Sequence, residues 1–261
     1  MTERYQFHEK IGQGGLGEVY RATDLQLKRE VTIKRLIPLD KEDIAKSYGG
    51  VSPSNLLGEA TTLSALQHPN IVTVYDVGMD SEGCFVVMEL LRGETFDKTV
   101  ERGALNEMDF KRFVLQTMEG LVAAHHSGIV HRDLKPSNLM VNYPPSGKFQ
   151  IKILDFGLAK FSNQPTVQTT DHGDGILGSI YFMAPEQFER IELDERTDLY
   201  SMGAIYHYCL TGQYPFNGSN APEVIAAHLQ GKVRPIGEIR TELSDWVSDW
   251  IMWLMNRNPD N

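Results

Sequence analysis

The sequence predicts an α+β chain in two unequal parts, strand-rich up to about Met88 and mainly helical beyond Gly93. Two patterns carry this. Before Glu89, short runs of β-branched and aromatic residues alternate with polar ones between Gly-containing turns, as at positions 30–36. After Glu89-Leu90-Leu91-Arg92-Gly93 the apolar period changes, and over 108–127 it is helical.

Composition narrows the partners. The 261 residues can form one large domain or two small ones, and 41% hydrophobic with 23% charged residues is ordinary for a globular protein. With 25 basic against 35 acidic residues the net charge is −10, which argues against nucleic acid or an anionic membrane as main partner. Cys84 and Cys209 stand far apart in apolar runs, as small buried hydrophobes do. No apolar run is long enough for a membrane span, and the first ten residues lack the apolar core of a secretion signal, so a cytoplasmic location is expected.

In chain order, positions 5–31 read as two or three strands around Gly12-Gln13-Gly14-Gly15-Leu16-Gly17-Glu18-Val19. Glycines there let backbone N–H groups approach a phosphate without a Cβ in the way. Strand-like residues follow this turn, which sets it apart from the dinucleotide fingerprint that opens a helix. Lys34 lies at the centre of the next alternating strand. Positions 40–50 form a polar loop, and Ser52-Pro53 then suits a helix N-cap and first turn. Leu56, Ala60, Leu63 and Leu66 give that helix an apolar stripe with Glu59 beside it. Strands are expected over 71–77 and 84–90, joined by a turn over 79–83.

The helix over 108–127 leads into Ile129-Val130-His131-Arg132-Asp133-Leu134-Lys135-Pro136-Ser137-Asn138. A purely structural loop has no need of that density of charged and amide groups. A carboxylate that can take a hydroxyl proton, an ammonium two residues on and an amide oxygen beyond it suit phosphoryl transfer. A strand at 139–141 and another at 149–154 follow, the second ending in Asp155-Phe156-Gly157. A carboxylate at a strand end can bridge Mg²⁺ to phosphates. The long loop over 161–176 is rich in Thr, Gln, Asp and Gly and contains Thr166, Thr169 and Thr170. Gly178-Ser179-Ile180-Tyr181-Phe182-Met183-Ala184-Pro185-Glu186 closes it. An apolar helix opens at Asp198 and runs to 210, and amphipathic segments occupy 222–230 and 244–255. There is no internal repeat or low-complexity tract.

These strings resemble, in order, the Gly-rich loop, strand lysine, helix glutamate, H-R-D-L-x-x-x-N loop, D-F-G and A-P-E motifs of eukaryotic-type serine/threonine protein kinases. The Gly-rich loop is most like that of bacterial members. The resemblance implies a two-lobed fold: an ATP-binding β lobe over 1–88 with one main helix, a hinge over 89–93 and a helical lobe over 94–261. Asp133 would orient and deprotonate the acceptor hydroxyl, Lys135 would stabilise the phosphoryl group, and Lys34, held by Glu59, would contact the α/β-phosphates. Asn138 and Asp155 would hold Mg²⁺ (or Mn²⁺). Gly12–Gly17, Val19, Thr32, Met88 as gatekeeper, the backbone of Glu89 and Leu91, and Met140 would surround the adenosine and phosphates.

Further roles follow from the same resemblance. Phe156 would stack with Leu63, Val74 and His131, Asp198 would accept backbone N–H groups of the catalytic loop, and Ser179 would lie by the substrate. By position, Arg132 before Asp133 and Lys160 after the D-F-G string could receive a phosphate on Thr169, Thr170 or Thr166, unless Asp171 or Asp174 already occupies Arg132. Glu186 would pair with an Arg following Asn261, ahead of a final helix that the sequence does not reach. Thr32, Ser179 and Tyr200 depart from the usual Ala, Thr and Trp. A protein bearing Ser or Thr is the expected substrate and a kinase-domain dimer the route to autophosphorylation. A membrane anchor, if any, would lie beyond residue 261. A nucleotide-binding scaffold without turnover and a small-molecule kinase are the alternatives. Lys34, Asp133 and Asp155 are all present, which argues against the first, and the segment ending in A-P-E argues against the second.

Overall fold

A computed structural model describes residues 4–14, 17–36, 66–80, 82–144, 147–156, 178–189 and 191–258. Gly15, Leu16, Glu59, Leu63, Lys160, Thr166, Thr169, Thr170 and the helix expected after Ser52-Pro53 lie outside the described residues.

The strand-rich part forms one antiparallel sheet of β1 (Tyr5–Gly14), β2 (Gly17–Asp24), β3 (Arg29–Leu36), β4 (Val74–Asp80) and β5 (Gly83–Glu89), in the order β1-β2-β3-β5-β4. Alternation assigns its faces. Val19 stands opposite Lys34, and Thr32 and Lys34 stand opposite Met88 and Val86, so these five share a face. The other face carries Ala22, Val31, Ile33, Phe85 and Val87, which with Tyr5 make an apolar cluster of their own.

β4 starts later than the apolar pattern suggests. Ile71 bridges Ile153 in parallel and the Val72 N–H donates to the Ile153 carbonyl at 2.9 Å, so this pair joins the two parts of the chain instead of the first sheet. At its other end β4 runs on to Asp80, which pairs with Gly83, giving a tighter hairpin than the expected five-residue turn. The Asp80 carboxylate caps the Glu82 N–H at 2.9 Å and takes both terminal nitrogens of Arg35 at 2.7 and 3.0 Å.

Beyond Gly93, β6 (Glu94–Thr95), β7 (Leu139–Asn142) and β8 (Gln150–Ile153) form a second antiparallel sheet. Helices α1 (Phe96–Glu101), α2 (Glu107–His126), α3 (Pro185–Glu189), α4 (Glu195–Thr211), α5 (Ala221–Gln230) and α6 (Asp245–Leu254) complete the described part. β6, α1 and α3 are too short for periodicity to reveal. α4 begins a turn before Asp198 because the Asp194 side chain accepts the Arg196 N–H at 2.9 Å. It ends at Gly212 in the left-handed conformation.

α4 is buried nearly all round, which is why it reads as apolar without a polar stripe. Tyr206 is fully buried, stands edge-on to Phe110 and Phe113, and meets the Thr117 hydroxyl at 2.7 Å. Gly203 lets α6 approach: a Cβ there would come within 2.8 Å of Leu254 Cβ and 2.9 Å of Met255 Cγ.

His228 on α5 is buried, tilted against the Phe216 ring at 4.0 Å and joined through Nδ1 to the Tyr200 hydroxyl at 2.9 Å. Burial lowers its pKa from 6.5 to about 4, and burial raises that of Tyr200, so a neutral ring accepts from a protonated phenol. Between pH 6.5 and 4 the unfolded chain binds a proton that the folded one does not. The stability held by neutral His228 is therefore complete above pH 6.5 and is lost as pH falls toward 4, by about 3 kcal/mol. Denaturant midpoints from pH 7 to 4 should fall less steeply in His228→Gln than in the natural chain; equal slopes would place the loss elsewhere.

Candidate active site

Lys34 crosses from β3 to the end of β8, where its Nζ lies 2.6 Å from Asp155 Oδ2. The pair is largely shielded, with side-chain exposures of 7% and 19%. Position alone does not foretell this contact across 121 residues. Asp155 has φ +60°, a conformation a non-Gly residue holds only where its surroundings impose it. Phe156 turns inward and meets the His131 ring at 4.8 Å. Phe156 and Asp155 also line a small apolar cavity with Val74, Val86 and Met88.

The loop before β7 gathers the other charged groups. Lys135 Nζ lies 3.0 Å from Asp133 Oδ2 and donates to Ser179 Oγ at 2.8 Å. Asn138 ends a 3-10 turn (Pro136–Asn138), and its Nδ2 donates to the Asp133 carbonyl at 2.7 Å. Because a carbonyl only accepts, the Asn138 amide has one orientation, and Oδ1 faces away from Asp133. Asp133 keeps part of its carboxylate open to solvent, with a side-chain exposure of 23%.

Asp198, on α4, holds this loop from below. It is 1% exposed. Its Oδ2 accepts the His131 N–H at 2.8 Å and His125 Nε2–H at 2.8 Å, and its Oδ1 accepts the Arg132 N–H at 2.9 Å. His131 Nδ1 takes the Asp133 N–H at 3.3 Å, which leaves Nε2–H to donate to the Leu154 carbonyl at 2.7 Å. His131 thus ties the loop that carries Asp133 to the strand that leads into Asp155.

On the sheet side, Val19, Thr32 and Met88 share the face of Lys34, with Thr32 7% and Met88 7% exposed. Gly12 and Gln13 pair with Val19 and Glu18 across the β1–β2 hairpin, and Gly14 pairs with Gly17. A Cβ on Gly17, at φ +153°, would lie 2.0 Å from the Arg35 carbonyl, so close packing of β2 on β3 alone requires glycine there. Leu91, just after β5, and Met140, on β7, are half-buried.

Several residues here escaped the sequence reading. Lys152 on β8 donates to Glu89 Oε1 at 2.6 Å and to the Ile71 carbonyl at 3.1 Å, while Glu89 Oε1 also accepts the Thr73 N–H at 2.8 Å. Nothing in a strand lysine announces a partner 63 positions away. Lys152→Met leaves the shielded Glu89 carboxylate short of its cation and should destabilise by about 1–3 kcal/mol. Adding Glu89→Gln should recover part of that loss in denaturant midpoints, whereas strictly additive losses would mean the two do not act as a pair. Glu186 accepts the Thr197 hydroxyl at 2.7 Å, so the carboxylate has a donor within the described residues. Arg132, at φ +69°, keeps its Nε without a hydrogen-bond partner among the described residues.

Comparison with known proteins decides the family. The family model described as the protein kinase domain matches residues 5–261. The chain belongs to the protein kinase family. Its kinase relatives include a probable serine/threonine-protein kinase of Clostridium acetobutylicum, 33% identical over 265 residues, which span 100% of this chain and 38% of that one. The serine/threonine-protein kinase PrkC of Bacillus subtilis is 34% identical over 89% of this chain and 34% of its own. Pkn3 of Myxococcus xanthus is 32% identical over 98% and 47%. In three dimensions the chain is similar to the crystal structure of Rad53 1-466 in complex with AMP-PNP, with a TM-score of 0.77 at 25% identity, covering 99% of this chain and 62% of that one. This kinase chain thus spans less than half the length of these curated relatives, and the two-lobed kinase fold expected from the motifs is the one observed. Among the described residues no helix is long and apolar enough to cross a membrane.

Proposed function

We propose that this chain is the catalytic domain of an ATP-dependent protein kinase that phosphorylates Ser or Thr hydroxyls. One observation supports this above the rest. The Asp133 carboxylate, the Lys135 ammonium and the hydroxyl-bearing Ser179 stand in contact on one loop system, and the Lys34–Asp155 pair closes the neighbouring strand end. ATP lies between a β lobe over 1–88 and a helical lobe over 94–261, hinged at 89–93. Its adenine meets the Glu89 carbonyl and the Leu91 backbone, enclosed by Val19, Thr32, Met88 and Met140, with the glycines from Gly12 to Gly17 over the phosphates.

Asp133 accepts the proton of the Ser or Thr hydroxyl as its oxygen bonds to the γ-phosphorus. The bond from phosphorus to the β–γ bridging oxygen breaks, and ADP leaves with that electron pair. Lys135 lies against Asp133 and can neutralise charge on the moving group, while Lys34 faces the α/β-phosphates. The residues fit a divalent cation, because Asn138 Oδ1 and the Asp155 carboxylate are hard oxygen donors, the first left facing away from Asp133 by its fixed amide. Mg²⁺ or Mn²⁺ held there would neutralise phosphate oxygens. Ser179 keeps the hydroxyl that a Thr would supply.

The reading extends to regulation. Arg132, with Lys160, receives a phosphate on Thr166, Thr169 or Thr170, placed there by a second copy of the domain. The protein works in the cytoplasm, on protein substrates and not nucleic acid.

Incubation with γ-labelled ATP, Mg²⁺ and a generic basic protein, beside Asp133→Asn, tests the reading. Label on Ser or Thr that disappears in the variant is expected, and mass spectrometry of the same mixture reads the three threonines. Nucleotide binding without transfer would make the chain a scaffold, and label only on small molecules would move it to another kinase class.

A further inference from the structure

Arg132 carries the peptide unit that leads into Asp133, and its φ of +69° is one that a non-Gly residue leaves unless held. Asp198 holds the peptide on the N-terminal side of Arg132 by its N–H at 2.9 Å. The peptide on the other side, between Arg132 and Asp133, is gripped at both ends. Its N–H donates to His131 Nδ1 at 3.3 Å, and its carbonyl accepts Gln187 Nε2–H at 2.8 Å. Gln187 reaches it from the first turn of α3, where its Oε1 accepts the Ala184 N–H at 2.9 Å. An N–H only donates and a carbonyl only accepts, so these partners leave the Gln187 amide a single orientation.

We infer that Gln187 is a positioning residue for Asp133: its amide clamps the Arg132–Asp133 peptide and thereby the direction of the carboxylate. The second half of the amide serves α3. A Gln at the third helical position that reaches back to the N–H just before the helix is a capping arrangement, and Glu fills that role equally well. The two functions can therefore be separated. Gln187→Glu keeps the acceptor for Ala184 and loses the donor for Arg132, whereas Gln187→Met loses both. The inference also joins two segments. Ser179, which takes Lys135, and Ala184 belong to the stretch that ends at α3, so one side chain sets the register of that stretch against the loop bearing the base.

The inference rests on the kinase reading above, and two measurements keep them apart. In steady-state assays Gln187→Glu should lower kcat by about 10–100-fold, the scale of a small misplacement of a reacting group, with KM for ATP and thermal midpoint near those of the natural chain. Gln187→Met should show the same kcat loss together with a lower midpoint. Hydrogen exchange at the Asp133 amide needs no activity. It should quicken in both variants while α4 is unchanged. Full kcat and unchanged exchange in Gln187→Glu would overturn the inference and leave the kinase reading intact. Parallel falls in kcat, ATP affinity and midpoint in Gln187→Glu would also overturn it, since the role would then be structural. If the natural chain transfers no phosphate, the kinase reading fails, and the exchange result alone decides whether Gln187 holds the peptide.

Discussion

Asp133→Asn is expected to lower phosphoryl transfer by about 10²–10⁴-fold while ATP still binds. The Asn keeps the size of the side chain and its place among Lys135 and Asn138, but an amide accepts no proton at neutral pH. Its neighbours matter to the size of the effect. Lys135 Nζ, 3.0 Å away, loses its counter-ion and keeps only neutral acceptors, the new amide oxygen and Ser179. Asp155→Asn should behave differently, because in the proposed mechanism that carboxylate serves the nucleotide and its cation. It is 2.6 Å from Lys34 in a shielded site and supplies one of the two oxygen donors assigned to the cation. Turnover and Mg·ATP affinity should both collapse in that variant. Isothermal titration with a non-hydrolysable nucleotide and single-turnover transfer, run on both proteins, separate the two roles. Near-full transfer by Asp133→Asn would remove it as the base, and unaltered Mg·ATP affinity in Asp155→Asn would remove that residue from the cation site.

Asp198→Ala should be the most destabilising single change away from the nucleotide. The carboxylate is 1% exposed and accepts three N–H groups, from His131, Arg132 and His125. Deleting it strands those donors under the loop that carries Asp133, at a cost of about 3–5 kcal/mol, the range seen when a buried charge network loses one member. Arg132 would then be free to leave its left-handed conformation, so whatever protein remains folded should also transfer phosphate poorly. Asp198→Asn is the sharper probe. One amide oxygen can still accept, but the NH₂ must face an N–H, so a loss between that of Ala and none is expected. Denaturant unfolding gives the stabilities. A loss under about 1 kcal/mol for Ala would show that water replaces the carboxylate at little cost and that the three bonds are worth less than their burial suggests.

The fold class and the strings that carry the chemistry could be read along the chain because each depends on neighbours. Alternation in 30–36 places Val31 and Ile33 on one face and Thr32 and Lys34 on the other, as observed. Helical spacing in 108–127 matches α2 within a residue at each end, since Asn106 and Ser127 stop it locally. Asp133, Lys135 and Asn138 meet one another within a six-residue loop, where sequence distance is nearly spatial distance.

Long separations were another matter. Ile71 looked like strand by composition, yet its partner is Ile153, and only packing of the second sheet against the first chooses that pairing over β5. Lys34 with Asp155, Lys152 with Glu89, and Gln187 with Arg132 are likewise choices among many chemically equal partners. An ammonium or an amide carries no address in its residue type. Its partner is set when sheets and helices bury their apolar faces and bring particular backbone and side-chain groups within about 3 Å, where an unmet polar group is costly. The order of motifs therefore reports the family and its chemistry, and the packed chain assigns which groups hold the reacting ones in place.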